Sequence, residues 1–153
     1  MFFGSGSALK AEASITKEKQ RGELEIPGIP TVSLSAAREQ KYSRRTKYDW
    51  DREAVLTLQI GKREITDVIA VLSGYLLYAK FDHHGKQRNK SYSLDRTDNV
   101  LNLCLSGPGK QFSFKLAGAQ RITLLCLCFR QWQRQQGGLS DTVLHRMLEA
   151  AYR

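Results

Sequence analysis

Residues 41–50 read Lys41-Tyr42-Ser43-Arg44-Arg45-Thr46-Lys47-Tyr48-Asp49-Trp50, a run that interleaves cations with aromatic rings. Cations track phosphates, and open ring faces accept unpaired bases at about 1–3 kcal/mol per stacked base. A duplex already stacks its own bases and has no use for exposed rings. The chemistry expected is therefore the binding of single-stranded nucleic acid. Lys41, Arg44, Arg45 and Lys47 would contact phosphates, and Tyr42 and Tyr48 would stack on bases or wall a pocket. A solvated basic loop whose rings plug the core has the same sequence. Tyr42 and Tyr48 fit either reading, and Trp50 reads as a structural anchor.

A second segment, residues 80–92, places His83-His84-Gly85 at a hairpin-like turn among Lys80, Lys86, Arg88 and Lys90. Phe81 and Tyr92 stand on its arms. Such a hairpin can reach over a strand of nucleic acid, with Lys86, Arg88 and Lys90 on phosphates and Phe81 and Tyr92 on bases. An ordinary solubilising loop is the competing reading. Phe112 and Phe114 share one strand face and are expected in the core.

Catalytic constellations are not expected. His83 and His84 are adjacent, so on a strand they point to opposite faces. No spaced cysteines or acidic ligands accompany them, so neither a metal nor a cofactor is expected. The segment Gly4-Ser5-Gly6-Ser7 lacks the lysine of a phosphate loop. Asp49 and Asp51 lie among cations and read as their salt-bridge partners. The chain is read as a binding protein and not an enzyme.

The elements that must carry these residues follow from patterning. Residues 9–15 and 31–36 alternate apolar and small polar side chains as half-buried strands do. Residues 54–60 alternate too, but Val55 is out of phase with Leu56 and Leu58, so the inward face is left open. Ile65, Val68, Ile69 and Leu72 recur at helical spacing, which predicts a helix over 64–73 closed by Gly74. Strands follow at 75–82 and 90–94, then a polar turn at 95–99. Residues 101–105 and 111–116 form a hairpin around Ser106-Gly107-Pro108-Gly109. Ile122 to Trp132 form a helix apolar nearly all round, buried on more than one face. Gly137-Gly138 breaks it, and Ser140 caps a last helix within 139–153.

The whole chain, 1–153, is expected to be one α+β domain: two sheet-plus-helix halves in strand, helix, strand, helix order. Its 153 residues can bury a real core, and 41% hydrophobic composition argues against wholesale disorder. With 24 Lys and Arg against 15 Asp and Glu, the net charge of +9 favours a polyphosphate partner. Cys104, Cys126 and Cys128 sit in apolar stretches and are expected as buried, reduced thiols. That points to a reducing, intracellular compartment, either bacterial cytoplasm or an organelle. No apolar run reaches the roughly 20 residues of a membrane span, and the Gly-Ser-Gly-Ser after Phe3 leaves no signal h-region.

At Lys47-Tyr48-Asp49-Trp50-Asp51 the chain resembles the Whirly family of single-stranded DNA-binding proteins, which carry a Tyr-Asp-Trp at a strand end, then an apolar strand, then a helix beginning near a Glu. Here that run is KYDWDREAVLTLQIGKREITDVIAVLSG, residues 47–74, with Glu64-Ile65 at the helix start. Phe81-Asp82-His83 resembles the family's Phe-His-Asp region. A strand from Lys90, two short strands and a long apolar helix follow in kind, so the likeness covers residues 5 to 138. Gly6-Ser7-Ala8-Leu9-Lys10 departs from the plant Lys-Gly-Lys-Ala-Ala-Leu motif. The resemblance implies two antiparallel sheets packed crosswise and braced by helices, a homotetramer, and single-stranded DNA along sheet edges with little sequence preference. DNA repair, maintenance and transcription are the processes it implies. RNA annealing by a protein of the same fold is the near alternative. A structural oligomerisation module without nucleic-acid binding is the third.

Overall fold

A computed structural model describes the chain except residues 5, 17–18, 22–23, 27, 41–46 and 153, and describes only the backbone of residues 19–21 and 24–26. In chain order the elements are β1 (Phe2–Gly4), β2 (Ser7–Ile15), β3 (Lys19–Arg21), β4 (Leu24–Ile26), β5 (Pro30–Gln40), β6 (Lys47–Tyr48), β7 (Leu56–Gln59), α1 (Ile65–Ser73), β8 (Tyr78–His84), β9 (Lys90–Thr97), β10 (Val100–Gly107), β11 (Lys110–Ala117), α2 (Ala119–Gln135) and α3 (Asp141–Tyr152). The first sheet runs β1-β2-β5-β6, with β7 also on β5, and the second runs β11-β10-β9-β8. Both are antiparallel, and β3 pairs with β4 alone. Among the described residues the fold is α+β: two large antiparallel sheets, the β3–β4 pair and three helices.

Register decides which residues face inward, because directly opposed residues share a face. In the first sheet Leu9, Ala11 and Ala13 oppose Ala36, Leu34 and Val32. Leu34 and Ala36 in turn oppose Leu58 and Leu56. This settles the phase of the 54–60 segment. Leu56 and Leu58 point inward, and Val55 lies before the strand, its N–H bonded to the Asp51 carbonyl at 2.9 Å. In the second sheet the rungs Phe114–Leu103–Leu94–Ala79 and Phe112–Leu105–Tyr92–Phe81 face the same core. Each large apolar side chain removed from water there contributes about 1.5–3 kcal/mol. Lys90 Nζ ties the sheets together, donating to the Thr57 carbonyl at 3.0 Å, and Lys110 Nζ ties the second sheet to the turn before β7 through the Glu53 carbonyl.

The helices brace this core. In α1, Ile65, Val68, Ile69 and Leu72 are buried as their spacing predicts. Gly74 ends the helix at φ 95°, a left-handed conformation that favours glycine, and its N–H returns to the Ala70 and Val71 carbonyls. Residues Tyr75 and Leu76 remain in that cap, bonded to Ala70, so β8 begins only at Tyr78. Helix α2 clamps the first sheet with a buried amide: Gln131 Nε2 donates to the carbonyls of Ser14 (3.1 Å) and Thr31 (2.7 Å). Ser140 does cap α3, its hydroxyl accepting the Val143 N–H at 3.4 Å.

Three expectations need correction. Helix α2 buries one side only: Leu124, Cys128 and Trp132 are inside, while Ile122 is 55% exposed and Cys126 is exposed. Of the cysteines only Cys128 is buried; Cys104 is intermediate. The 95–99 turn is shorter than its polarity suggested, because β9 continues to Thr97 with Asp95 opposite Tyr78 and Asn102. Polar side chains there simply take the solvent face of a strand.

Candidate nucleic-acid interface

The solvent face of the first sheet carries the strongest candidate. Phe3 opposes Ala8, Ala8 opposes Ala37, and Tyr48 opposes Glu39, so all lie on the face opposite Leu9 and Leu34. The Phe3 and Tyr48 rings meet with centroids 5.7 Å apart and planes tilted by 35°. Ala8 and Ala37 on that face are fully buried and give it a floor of small side chains. Lys10, opposite Ser35 on the same face, holds its Nζ 4.8 Å from the Trp50 ring centroid. A groove of about 660 Å³ is lined by Met1, Phe3, Gln40, Lys47, Tyr48 and Trp50. Phe3 is 57% exposed, and Lys47 is exposed at the rim.

Backbone geometry positions these rings. The Asp49 N–H donates to the Arg38 carbonyl at 2.8 Å, which holds the segment after Tyr48 against β5. Asp49 Oδ1 accepts the Asp51 N–H at 3.1 Å, closing an Asx-type turn around Trp50. Asp49 thus caps a turn; Lys41, Arg44 and Arg45, cations of its expected ion pairs, lie outside the described residues. Trp50 is not a core anchor: it is half-buried, lies outside the hydrophobic core and walls the groove under Lys10. Of the residues expected to act here, Lys47, Tyr48 and Trp50 come together. Lys41, Tyr42, Arg44 and Arg45 lie outside the described residues. Phe3 and Lys10 had not been expected. The only signal for them was the alternation of 9–15, which puts Lys10 on the face opposite Leu9.

The hairpin of β8 and β9 divides the second set. Lys86 and Arg88 are exposed at its tip, where the Arg88 N–H donates to the Gly85 carbonyl at 3.1 Å. Lys90 is half-buried and committed to Thr57, so it joins the two sheets and is not a free phosphate contact. Tyr92 is only 1% exposed and Phe81 packs on it in the core, ring centroids 5.1 Å apart. The Tyr92 ring offers no face to a base, and half-buried Phe81 packs its ring against the core. The reason is phase: both lie on the rung of Leu105 and Phe112.

Tyr92 belongs to a polar network with Glu64 and His84. The Tyr92 hydroxyl donates to Glu64 Oε1 at 2.9 Å, the Gly61 N–H to the same oxygen at 2.8 Å, and His84 Nε2 lies 2.9 Å from the carboxylate. A β-bulge in β8, with His83 at φ 64°, brings His84 into this contact. Burial pushes the Glu64 carboxyl up, but the bonds from His84, Gly61 and Tyr92, with the His84 charge, together hold it below its ordinary value. Burial and the neighbouring Glu64 charge push the Tyr92 hydroxyl far up, so it stays a neutral donor. Among the described residues no three His, Cys, Asp or Glu side chains converge as a metal site, and no helix is long and apolar enough to cross a membrane.

No family model and no curated protein matches the sequence. Solved structures do. The plant transcriptional regulator PBF-2 superposes with a TM-score of 0.61 at 14% identity, covering 89% of this chain and 88% of that one. WHY1 from Arabidopsis thaliana superposes with a TM-score of 0.61 at 12% identity, covering 98% of this chain and 89% of that one. Both are Whirly proteins, and each superposition covers most of this chain. The chain has a Whirly-like fold.

Proposed function

We propose that the protein binds single-stranded DNA without sequence preference and without catalysis, on the solvent face of its first sheet, as a homotetramer. The observation that carries this reading is the open groove of Phe3, Tyr48 and Trp50 with Lys10 and Lys47 beside it. Rings open to solvent accept unpaired bases, and the cations meet the phosphates between them. The net charge of +9 draws a polyanion to this face, as does the exposed pair Lys86 and Arg88 at the hairpin tip. Lys41, Arg44 and Arg45 belong to the same proposed phosphate path, and Tyr42 to the same set of rings. A fold shared with a plant transcriptional regulator supports a role on DNA. The exposed side of α2, with Ile122 and Cys126, supports assembly with further copies. A reducing intracellular compartment suits three cysteines without a disulfide among them.

The test is a fluorescence titration of an oligo-dT with the protein and with Tyr48→Ala and Trp50→Ala. Each variant is expected to bind about 5- to 150-fold more weakly, the equivalent of about 1–3 kcal/mol for one stacked base. Affinity within twofold of the parent protein for both variants would remove the groove from the binding surface. An unstructured RNA of the same length bound equally or more tightly would move the assignment from DNA to RNA.

A further inference from the structure

Next to the aromatic groove, but on the other face of β5, a second cleft of about 440 Å³ lies between the two sheets, lined by Gly6, Ser7, Arg38, Gln111, Phe112 and Ser113. We infer that Arg38 in this cleft grips a phosphodiester of the same bound strand; the assignment rests on the single-strand reading above. Arg38 opposes Ser7 on β2 and is exposed, with its guanidinium carbon 5.5 Å from the centroid of the Phe112 ring. Phe112 is itself 4% exposed, a rigid support. A guanidinium held over a ring keeps its planar fork in one orientation, and that fork matches the two non-bridging oxygens of a phosphodiester.

The rest of the cleft has the right chemistry for an anion. Arg38 is its one charged lining residue, and Ser7, opposite it on the same face of the first sheet, brings a neutral hydroxyl. Among the described residues Arg38 has no carboxylate partner within ion-pair distance. A cationic or apolar ligand would find nothing here to neutralise or cover it.

Position makes the cleft a neighbour of the groove across β5. Arg38 and Glu39 are successive on β5, Glu39 opposes Tyr48, and the Arg38 carbonyl holds the Asp49 N–H. Successive strand residues point to opposite faces about 3.3 Å apart along the chain. A single strand leaving the rings over the β1 end of the sheet therefore meets Arg38 next. The β1–β2 connection it must cross is built from small residues. Gly4 packs so close to β11 that a Cβ there would sit 3.2 Å from the Phe114 ring and 3.3 Å from the Ser113 carbonyl oxygen. Gly4 thus leaves little room for a side chain between β1 and β11, and the charge of the cleft falls to Arg38.

The experiment is a salt-dependent titration of oligo-dT with the protein, Arg38→Ala, Arg38→Lys and Tyr48→Ala. Arg38→Ala is expected to bind about tenfold more weakly, and to lower the slope of log affinity against log salt by about 0.7, one phosphate contact on a single strand. Arg38→Lys keeps the slope and recovers part of the affinity, because a point charge replaces a fork. Both variants should keep the parent melting temperature, since Arg38 is exposed. If Arg38→Ala binds within twofold with an unchanged slope while Tyr48→Ala is weakened, the assignment fails and the single-strand reading stands. No binding of oligo-dT by the parent protein overturns both. Inorganic phosphate is the control for source: at matched ionic strength it should displace the strand no better than chloride. Selective displacement by phosphate that disappears in Arg38→Ala makes the cleft a free-anion site and overturns the assignment to the strand.

Discussion

Replacing Glu64 by alanine should destabilise the protein more than removing the hydroxyl that Glu64 accepts. Tyr92 is 1% exposed, and its hydroxyl has Glu64 as acceptor at 2.9 Å. Glu64→Ala strands that donor in the core, at about 1–3 kcal/mol, and also removes the acceptor for Gly61 and His84. Those two losses are softened by water, because the Glu64 and His84 side chains are 20% and 15% exposed. A total near 2–3 kcal/mol is expected, and for a chain of this length about 2–4 °C of melting temperature accompanies each kcal/mol. Tyr92→Phe removes donor and demand together and leaves Glu64 two other partners, so it should cost only about 1 kcal/mol. The double variant should cost clearly less than the sum of the singles. Urea unfolding at one fixed protein concentration measures all four corners, since assembly would make stability depend on concentration. The reasoning is refuted if Glu64→Ala is no more costly than Tyr92→Phe, or if the two costs simply add.

The same network sets an acid limit. The Glu64 carboxyl is held below its ordinary value of about 4.5 in the folded state. Its contribution is therefore present above that value and lost as pH falls through the lower folded one. Glu64→Gln should flatten this part of the stability profile below pH 4.5, which unfolding midpoints taken across pH will show. At the other end of the core, Gln131→Leu deprives the Ser14 and Thr31 carbonyls of their shared donor. It should lower stability by about 1–3 kcal/mol without changing oligo-dT affinity, since the amide lies away from the groove.

Much of this architecture was legible because apolar period and turn chemistry agree. The β10–β11 hairpin follows from strict alternation either side of Ser106-Gly107-Pro108-Gly109, and α1 from four apolar residues at helical spacing before Gly74. The site was harder to read, because it is made by adjacency across strands. Phe3 meets Tyr48 only after a three-residue strand, β1, pairs with β2, and nothing in a run of three residues announces a strand. The error at Tyr92 was avoidable. It alternates in phase with Leu94, and that phase outweighs the cations around it. The bulge at His83 could not be anticipated, and it is what turns His84 inward.

The most direct test of the account compares oligo-dT with a duplex of the same length, each titrated from low to moderate salt. The account predicts tight, salt-sensitive binding of the single strand and much weaker binding of the duplex, because only unpaired bases can enter the groove of Phe3, Tyr48 and Trp50. Equal affinity for the duplex across that salt range would contradict it.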